Sequence, residues 1–309
     1  MKISICIPTC NRDFLLEEAI KSVLSQTYAP WEILIGDDSS NDLSSKLVKK
    51  LKRETSLRIN YFKNNPRLGQ ADNVNALIDK ISVEKMVLLH DDDILLPDAL
   101  ENMKNCFETN PEIEAVFGKQ YIINEVGEIN LRDTENLNEY FFRTSKFAKN
   151  KISSFETGIV QQFPNDCYML DSGIAKETRY RSKEEIGNAG DFDFGFRLGL
   201  RGCKFYFLDM FTAKYRVTSS SVARNGTDSG YQAYKIISET KSLKDYPHQK
   251  TINRVLKNKA PIAIFQAVKL GRTKEASAIF FSSHHRKKLF TPGGLKRLIM
   301  IFLPRLFMR

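Results

Sequence analysis

The chain begins with short apolar runs that alternate with stretches in which apolar residues recur every three or four positions. Five runs predict buried strands: ISICIP (3–8), WEILIG (31–36), LRINYF (57–62), KMVLLH (85–90) and IEAVFG (113–118). After the first run, Leu16, Ile20 and Val23 have the spacing of one helix face, and further helices are predicted over about 42–53, 70–80 and 97–109. Strands that alternate with helices predict a parallel sheet with helices on both faces.

The pattern changes beyond residue 120. Residues 120–185 are less regular and predict loops. The stretch GDFDFGFRLGLRG (190–202) predicts a helix that turns Phe194 and Leu198 inward, and the pattern is helical from about residue 230 onward. We therefore predict an α/β domain over 1–222 and a helical region over 223–309.

The charge of the chain is unevenly distributed. Of its 47 basic and 37 acidic residues, 18 and 4 lie in 221–309, which leaves 29 and 33 for 1–220. The helical region is therefore strongly basic, whereas the first two-thirds is mildly acidic. Such a basic region favours an anionic surface as its partner, either a membrane or a nucleic acid.

Cysteine usage and hydropathy predict the compartment. The five cysteines are scattered without a CxxC pair, and an odd count fits a reducing cytoplasm. The N-terminal apolar stretch is too short for a secretory signal, and no run reaches the roughly 18 apolar residues of a spanning helix. We predict a cytoplasmic protein that associates peripherally with the inner face of the cell membrane.

Polar clusters follow three of the predicted strands. They are PTCNR after the first, GDDSS after the second and HDDD after the fourth. Because ligands of open parallel sheets bind beyond the carboxyl ends of the strands, these clusters should meet at one edge. Three adjacent carboxylates repel one another, and a divalent metal would relieve that repulsion.

Each cluster also has a simple structural interpretation. An acidic turn often caps a helix, and Asp, Ser and Asn are ordinary turn residues. Asp191 and Asp193 beside Gly190 could supply a general base or cap the helix that follows. Tyr215-Arg216 and the Thr-Ser-Ser-Ser after Val217 could hold phosphate oxygens or close the domain as a polar loop, and His90 is most simply a strand-end residue.

Four stretches, taken in order, resemble the family 2 glycosyltransferases of bacterial surface-polysaccharide synthesis. They are ISICIPTCNR, SVLSQTYAPWEILIGDDSSND, LLHDDDILLPDAL, and GDFDFGFRLGLRGCKF with the later YRVTSSS. Each motif alone is modest, but their order and spacing over residues 1–222 are specific. The resemblance implies a GT-A fold, in which a nucleotide-binding, largely parallel α/β sheet is fused to an acceptor-binding half, here with a helical C-terminal extension.

The resemblance also implies roles for individual residues. Asp191 matches the catalytic base, and Asp92 with Asp93 matches the ligands of a divalent metal, Mn²⁺ or Mg²⁺. The implied nucleotide-sugar contacts are Pro8, Thr9, Arg12, Asp38, Asn73 and Asp91. The implied reaction is inverting transfer from a nucleotide-sugar to a hydroxyl of a saccharide or lipid-linked acceptor, in O-antigen or capsule synthesis.

The sequence departs from the family pattern in three places. Gly190 stands before Asp191 where the family often has Glu, and Thr218 stands where a YRxH element would have His, which leaves a histidine contribution at the metal or diphosphate open. The QxxRW element of processive synthases is missing from the sequence. Transfer of one or a few sugars is therefore expected, not polymerisation with export.

Two other classes of function compete with this one. A nucleotidyltransferase would share the strand-end aspartates but would need a phosphate loop richer in Gly, Arg and Lys than PTCNRDF. A non-enzymatic membrane-surface adaptor would explain the basic tail but not the aspartates. From Ala276 to Arg309 the tail has seven Lys or Arg, no acidic residue and several short apolar runs, which favours an anionic membrane over nucleic acid.

Overall fold

The chain forms two structural units, which we describe separately. The structure, a computed structural model, describes residues 1–148, 151–218 and 228–304. The first unit contains Met1–Tyr180 and Phe194–Thr218, and the second contains Arg181–Asp193 with the described residues of 219–309.

The first unit is built on one sheet of eight strands. They are β1 (Ile3–Thr9), β2 (Glu32–Asp37), β3 (Ile59–Lys63), β4 (Lys85–Leu88), β5 (Ile94–Leu95), β6 (Ala115–Ile123), β7 (Tyr168–Asp171) and β8 (Phe205–Arg216). The spatial order is β3-β2-β1-β4-β7-β6-β8-β5. The four strands from β3 to β4 are mutually parallel, β7 runs antiparallel to both β4 and β6, and β5 runs antiparallel to β8. The sheet is therefore parallel on the side that contains β1 and mixed on the other.

Helices connect and cover these strands. They are α1 (Asp13–Leu24), α2 (Leu43–Glu54), α3 (Gln70–Lys80), α4 (Ala99–Thr109), α5 (Leu131–Tyr140), α6 (Ser154–Ile159) and α7 (Ser172–Thr178). The five strands predicted from apolar runs and the four helices between them are confirmed to within a few residues. The less regular stretch 120–185 contains α5, α6, β7 and α7 with loops between them, and these four elements were not predicted.

Both faces of the sheet are buried. Ile3, Ile5 and Ile7 of β1 join a cluster with residues of α1, α2 and α4, whereas Cys6 joins a cluster on the opposite face with residues of α3 and α7. Successive side chains of a strand point to opposite faces, so a strand covered on both sides must be apolar throughout. This explains why β1 and β2 read as continuous apolar runs. It also restricts polar chemistry to the strand ends.

The second unit is helical, as the pattern after residue 230 predicts. It contains α8 (Lys183–Ile186), the first turn of α9 (Gly190–Leu200), α10 (Ser229–Glu239), α11 (Gln249–Lys269), α12 (Thr273–Phe281) and α13 (Pro292–Phe302). The long helix α11 buries Ile252, Val255 and Ile264 among others. Within the described ranges, no helix is long and apolar enough to cross a membrane.

Candidate active site

The three polar clusters meet at the carboxyl ends of β1, β2 and β4. The register of β1 against β4 brings the end of β1 to the acidic loop, so that Thr9 Oγ1 donates to Asp91 Oδ2 over 2.7 Å. Burial raises the pKa of Asp91, and this hydrogen bond opposes the rise. Pro8 lies inside β1, opposite Gly36 of β2. Thr9 and Asp91, both predicted nucleotide contacts, therefore lie side by side.

Arg12 is the counter-ion of the acidic loop. Its Nη1 lies 2.7 Å from Asp92 Oδ2 and 3.4 Å from Asp91 Oδ1. The side chain of Arg12 is 36% exposed, whereas those of Asp91 and Asp92 are 8% and 18% exposed. The expectation that something cationic stands against the triplet is therefore met, in this structure, by a side chain of the protein itself.

Asp93 is the most deeply buried carboxylate of the triplet. It is 1% exposed, and its Oδ1 accepts the backbone N–H of Arg216 at 2.7 Å. Burial, with the charges of Asp166 and Asp92, raises the pKa of Asp93 well above its ordinary value. Across the described residues, Asp93 Oδ2 has no hydrogen-bond partner. A buried carboxylate oxygen without a donor is a suitable ligand for a hard cation.

His90 completes a group of possible metal ligands. One ring nitrogen of His90 and one oxygen each of Asp92 and Asp93 all lie within 4.8 Å of one another. Asp166 Oδ2 lies 3.9 Å from His90 Nδ1 and accepts the backbone N–H of His90 at 2.9 Å. Nitrogen and carboxylate ligands together suit Mn²⁺ and similar divalent ions. The residues present therefore fit a divalent metal. They include His90, which the sequence analysis interpreted as a strand-end residue and not as a ligand.

Arg216 holds the acidic loop from behind. Its side chain is 1% exposed and pairs with Glu18, while Nε donates to the carbonyl of Asp92 at 2.9 Å and Nη1 to that of Glu125 at 3.0 Å. The suggestion that Arg216 holds phosphate oxygens is therefore replaced by a structural role, because its donors already serve the protein. Thr218 belongs to the first unit, whereas Ser219–Ser221 lie outside the described residues.

Asp38 and Asn73 shape the loop after β3. Asp38 accepts the backbone N–H groups of Leu68 and Gly69 at 3.1 and 2.7 Å, and Asn73 Nδ2 donates to the carbonyl of Gly36 at 2.9 Å. A Cβ on Gly36 would lie 2.1 Å from Asn73 Oδ1, so only glycine allows this approach. Asp38 follows β2 and Asn73 lies near the start of α3, so both predicted nucleotide contacts lie at the same sheet edge as the acidic triplet.

Asp191 lies in the first turn of α9 and is assigned to the second unit. Its neighbour Asp193 is fully buried, and Arg181 donates to both of its oxygens, with Nε to Oδ2 at 3.0 Å. Glu185 forms a capping box with Ser182 at the start of α8. Asp193 and Glu185 are thus engaged in local structure, and Asp191 stays the predicted general base.

Comparison with known proteins identifies glycosyltransferases as relatives of this chain. A β-1,3-glucosyltransferase of Campylobacter jejuni, named for GalNAc(5)-diNAcBac-PP-undecaprenol, is 32% identical over 168 residues, which are 52% of this chain and 53% of that protein. A glucosyltransferase of Escherichia coli, named for UDP-Glc and α-D-GlcNAc-diphosphoundecaprenol, is 34% identical over 122 residues, 40% of this chain and 47% of that protein. The chain thus spans about half the length of these relatives.

Two solved structures share the fold. S. aureus TarS 1-349 in complex with UDP-GlcNAc has a TM-score of 0.66 and 13% identity, with 99% of this chain and 92% of that chain covered. The mannosyltransferase PcManGT from Pyrobaculum calidifontis, in complex with GDP-Man and Mn²⁺, has a TM-score of 0.62 and 16% identity, with 99% and 87% covered. These similarities identify the GT-A fold. The model of the glycosyl transferase family 2 matches residues 4–163, more than half of the 309, and the chain belongs to that family.

Proposed function

We propose that the protein is an inverting, metal-dependent glycosyltransferase. It moves a sugar from a nucleotide-sugar donor to a hydroxyl of a saccharide or lipid-linked acceptor in bacterial surface-polysaccharide synthesis. The observation that carries the proposal is the acidic loop of the family-matched region, where the buried Asp93 oxygen, Asp92 and His90 converge at the carboxyl edge of the parallel strands. The printed names of the two glucosyltransferase relatives support the lipid-linked acceptor.

The residues of the first unit bind and orient the donor. Asp92, Asp93 and His90 would hold a divalent ion, which when bound stabilises negative charge on the leaving nucleoside diphosphate. Thr9 keeps Asp91 in place, and Arg12, once released from Asp92, offers its guanidinium to the diphosphate oxygens. Asp38 and Asn73 fix the loop that borders the nucleoside side of this edge.

Asp191 acts as the general base. It accepts the proton of the acceptor hydroxyl, whose oxygen attacks the anomeric carbon from the face opposite the diphosphate. One displacement inverts the anomeric centre, and a positioned base contributes about 10²–10⁴-fold to the rate. Arg181 neutralises the neighbouring Asp193, which therefore does not compete for the proton.

We infer that the basic tail binds the cytoplasmic face of a membrane. Leu295, Ile299 and Phe302 are 57%, 41% and 66% exposed, and their i, i+4, i+7 spacing sets them on one face of α13. Phe290, immediately before this helix, is fully exposed. An apolar helix face in a strongly basic segment is typical of helices that lie in the headgroup layer of anionic membranes. We therefore assign this face to a membrane containing anionic lipid.

The test of function is a transfer assay with purified protein. UDP- and GDP-sugars are supplied with Mn²⁺ and a diphosphate-linked lipid acceptor, and the products are separated by mass. We expect acceptor-dependent release of nucleoside diphosphate, which Asp92→Asn abolishes while the thermal unfolding of the variant stays cooperative. Release of a sugar 1-phosphate would instead indicate nucleotidyl transfer, and full activity in excess chelator would contradict the metal requirement.

The membrane assignment has a separate test. The triple variant Leu295→Ser, Ile299→Ser, Phe302→Ser should sediment less with anionic vesicles than the native chain. The control Leu43→Ser, Leu131→Ser, Val126→Ser removes three exposed apolar side chains of the first unit and should sediment like the native chain. Equal sedimentation of the two triple variants would refute the role of α13.

A further inference from the structure

A basic cleft lies in the second unit, formed within that unit by α11 and the turn after α12. Its volume is about 470 Å³. Lys250, Asn253 and Lys257 line it from α11, and Ser283, Arg286 and Lys287 line it from the turn. The three α11 residues are spaced i, i+3 and i+7, so they belong to one face of the helix. Two separate segments therefore direct cations into one concavity.

The four cations of this cleft lack counter-ions. In the described part of the chain, no carboxylate forms an ion pair with Lys250, Lys257, Arg286 or Lys287, and no acidic residue lines the cleft. Other basic side chains of the protein have acidic partners, for example Lys104 with Glu108 at 2.6 Å and Lys119 with Asp209 at 3.0 Å. Four unneutralised cations around one concavity repel one another, and a polyanion would relieve that repulsion.

The cleft also has neutral hydrogen-bonding groups and a defined wall. Asn253 Nδ2 donates to the carbonyl of Gln249 at 2.9 Å, which orients its amide on the helix. Lys288 Nζ donates to the carbonyl of Lys257 at 3.4 Å and so connects the turn to α11. The positive charge is strong enough to act on a neighbour, because burial and, after it, Lys257 lower the pKa of His284. These contacts hold the two walls of the cleft together.

We propose that this cleft binds a phosphate group with two or more negative charges, either a phosphomonoester or a diphosphate. Lysine and arginine are the usual partners of phosphate oxygens, and an amide and a hydroxyl can complete the hydrogen bonds. The group could belong to a soluble diphosphate or to the headgroup of a lipid. The lipid source rests on the membrane association proposed above, whereas binding of a soluble diphosphate does not.

Calorimetric titration of the full chain with sodium pyrophosphate tests the soluble source. Metal-free buffer is used, because without a metal the acidic loop of the first unit repels pyrophosphate. Lys250→Gln with Lys257→Gln should weaken binding about 10- to 30-fold, since each of the two cations contributes about 3- to 5-fold near a phosphate. The matched control, Lys269→Gln with Lys274→Gln, removes two charges from the same unit outside the cleft and should bind like the native chain.

Vesicle binding tests the lipid source. Phosphatidic acid carries a phosphomonoester and phosphatidylserine does not, so vesicles of the two lipids are matched in surface potential. A preference for phosphatidic acid that is lost in Lys250→Gln with Lys257→Gln, and restored by arginine at both positions, identifies the lipid phosphate as the ligand.

Cleft-dependent binding in either the calorimetric or the vesicle measurement supports the proposal. The measurement that shows it identifies the phosphate as soluble or as part of a lipid. The proposal is overturned if the cleft variant and the control variant bind equally well, or if the native chain binds neither pyrophosphate nor phosphatidic acid. These measurements use neither a sugar donor nor an acceptor. A failure here is therefore distinct from a failure of the proposed transferase activity.

Discussion

Replacement of Arg12 by glutamine should tighten the binding of Mn²⁺ in the absence of nucleotide. In the structure the guanidinium lies 2.7 Å from Asp92 and 3.4 Å from Asp91. A metal that binds Asp92 must displace this side chain and would then lie beside its positive charge. Arg12→Gln removes both penalties while it keeps a polar side chain at this position.

The size of the effect can be worked out from the geometry. A hydrogen bond between charged groups contributes about 1.5–3 kcal/mol when it is well shielded. Because Arg12 is 36% exposed, solvent screening reduces this to about 1–1.5 kcal/mol. Since about 1.4 kcal/mol is a factor of ten, the Mn²⁺ dissociation constant should fall about 5- to 10-fold.

The assay is titration of the metal-free protein with Mn²⁺, followed by the electron paramagnetic resonance signal of the free ion. Arg179→Gln is the matched control, because it breaks an arginine–aspartate pair with Asp79 elsewhere in the first unit. The Mn²⁺ affinity of Arg12→Lys should lie between those of the native chain and Arg12→Gln, since lysine keeps the charge but lacks the planar guanidinium. Unchanged or weaker Mn²⁺ binding by Arg12→Gln would refute the view that Arg12 occupies the place of a metal.

Three further predictions test other parts of the structure. Asp191→Asn should lower kcat at least roughly 100-fold with little change in nucleotide-sugar affinity, measured by steady-state kinetics and calorimetry; lost affinity with retained kcat would make Asp191 a structural cap. His90→Gln should remove the nitrogen coupling from the electron spin-echo spectrum of bound Mn²⁺, and an unchanged spectrum would exclude His90 as a ligand. Burial, and then Arg297, lowers the pKa of the buried His285 below its ordinary 6.5. Because the unfolded chain then binds a proton that the folded chain does not, the free energy of unfolding should fall as pH drops below about 6.5. Urea unfolding of His285→Gln should show a weaker dependence of this free energy on pH.

The parallel half of the fold could be predicted because its signals are local. The strands β1, β2 and β4 are buried on both faces and therefore apolar, and the helices between them have regular spacing. The strand β7 has only four residues, and its place between β4 and β6 depends on antiparallel pairing across about eighty residues of sequence. No periodicity of its own sequence encodes that pairing. The antiparallel pairing of β7 with β4 and β6 was for this reason not predicted.

The same distinction applies to the candidate site. The aspartates of the acidic loop, Asp91 to Asp93, are adjacent in sequence, so their convergence could be predicted from one short stretch. Asp166, which contacts His90 from the segment before β7, reaches the site only because β7 lies beside β4. Glu18 and Arg216 are 198 residues apart, and their ion pair likewise has no local signal. The acidic cluster was thus easier to predict than the residues that contact it.

The exposed apolar face of α13 has a practical consequence for work with the purified protein. Leu295, Ile299 and Phe302, with Phe290 before them, would make the protein surface-active in the absence of lipid. Air–water interfaces, plastic walls and cryo-EM grids then compete for the same face that we assign to a membrane. A mild detergent or lipid nanodiscs during purification should therefore raise the recovered concentration.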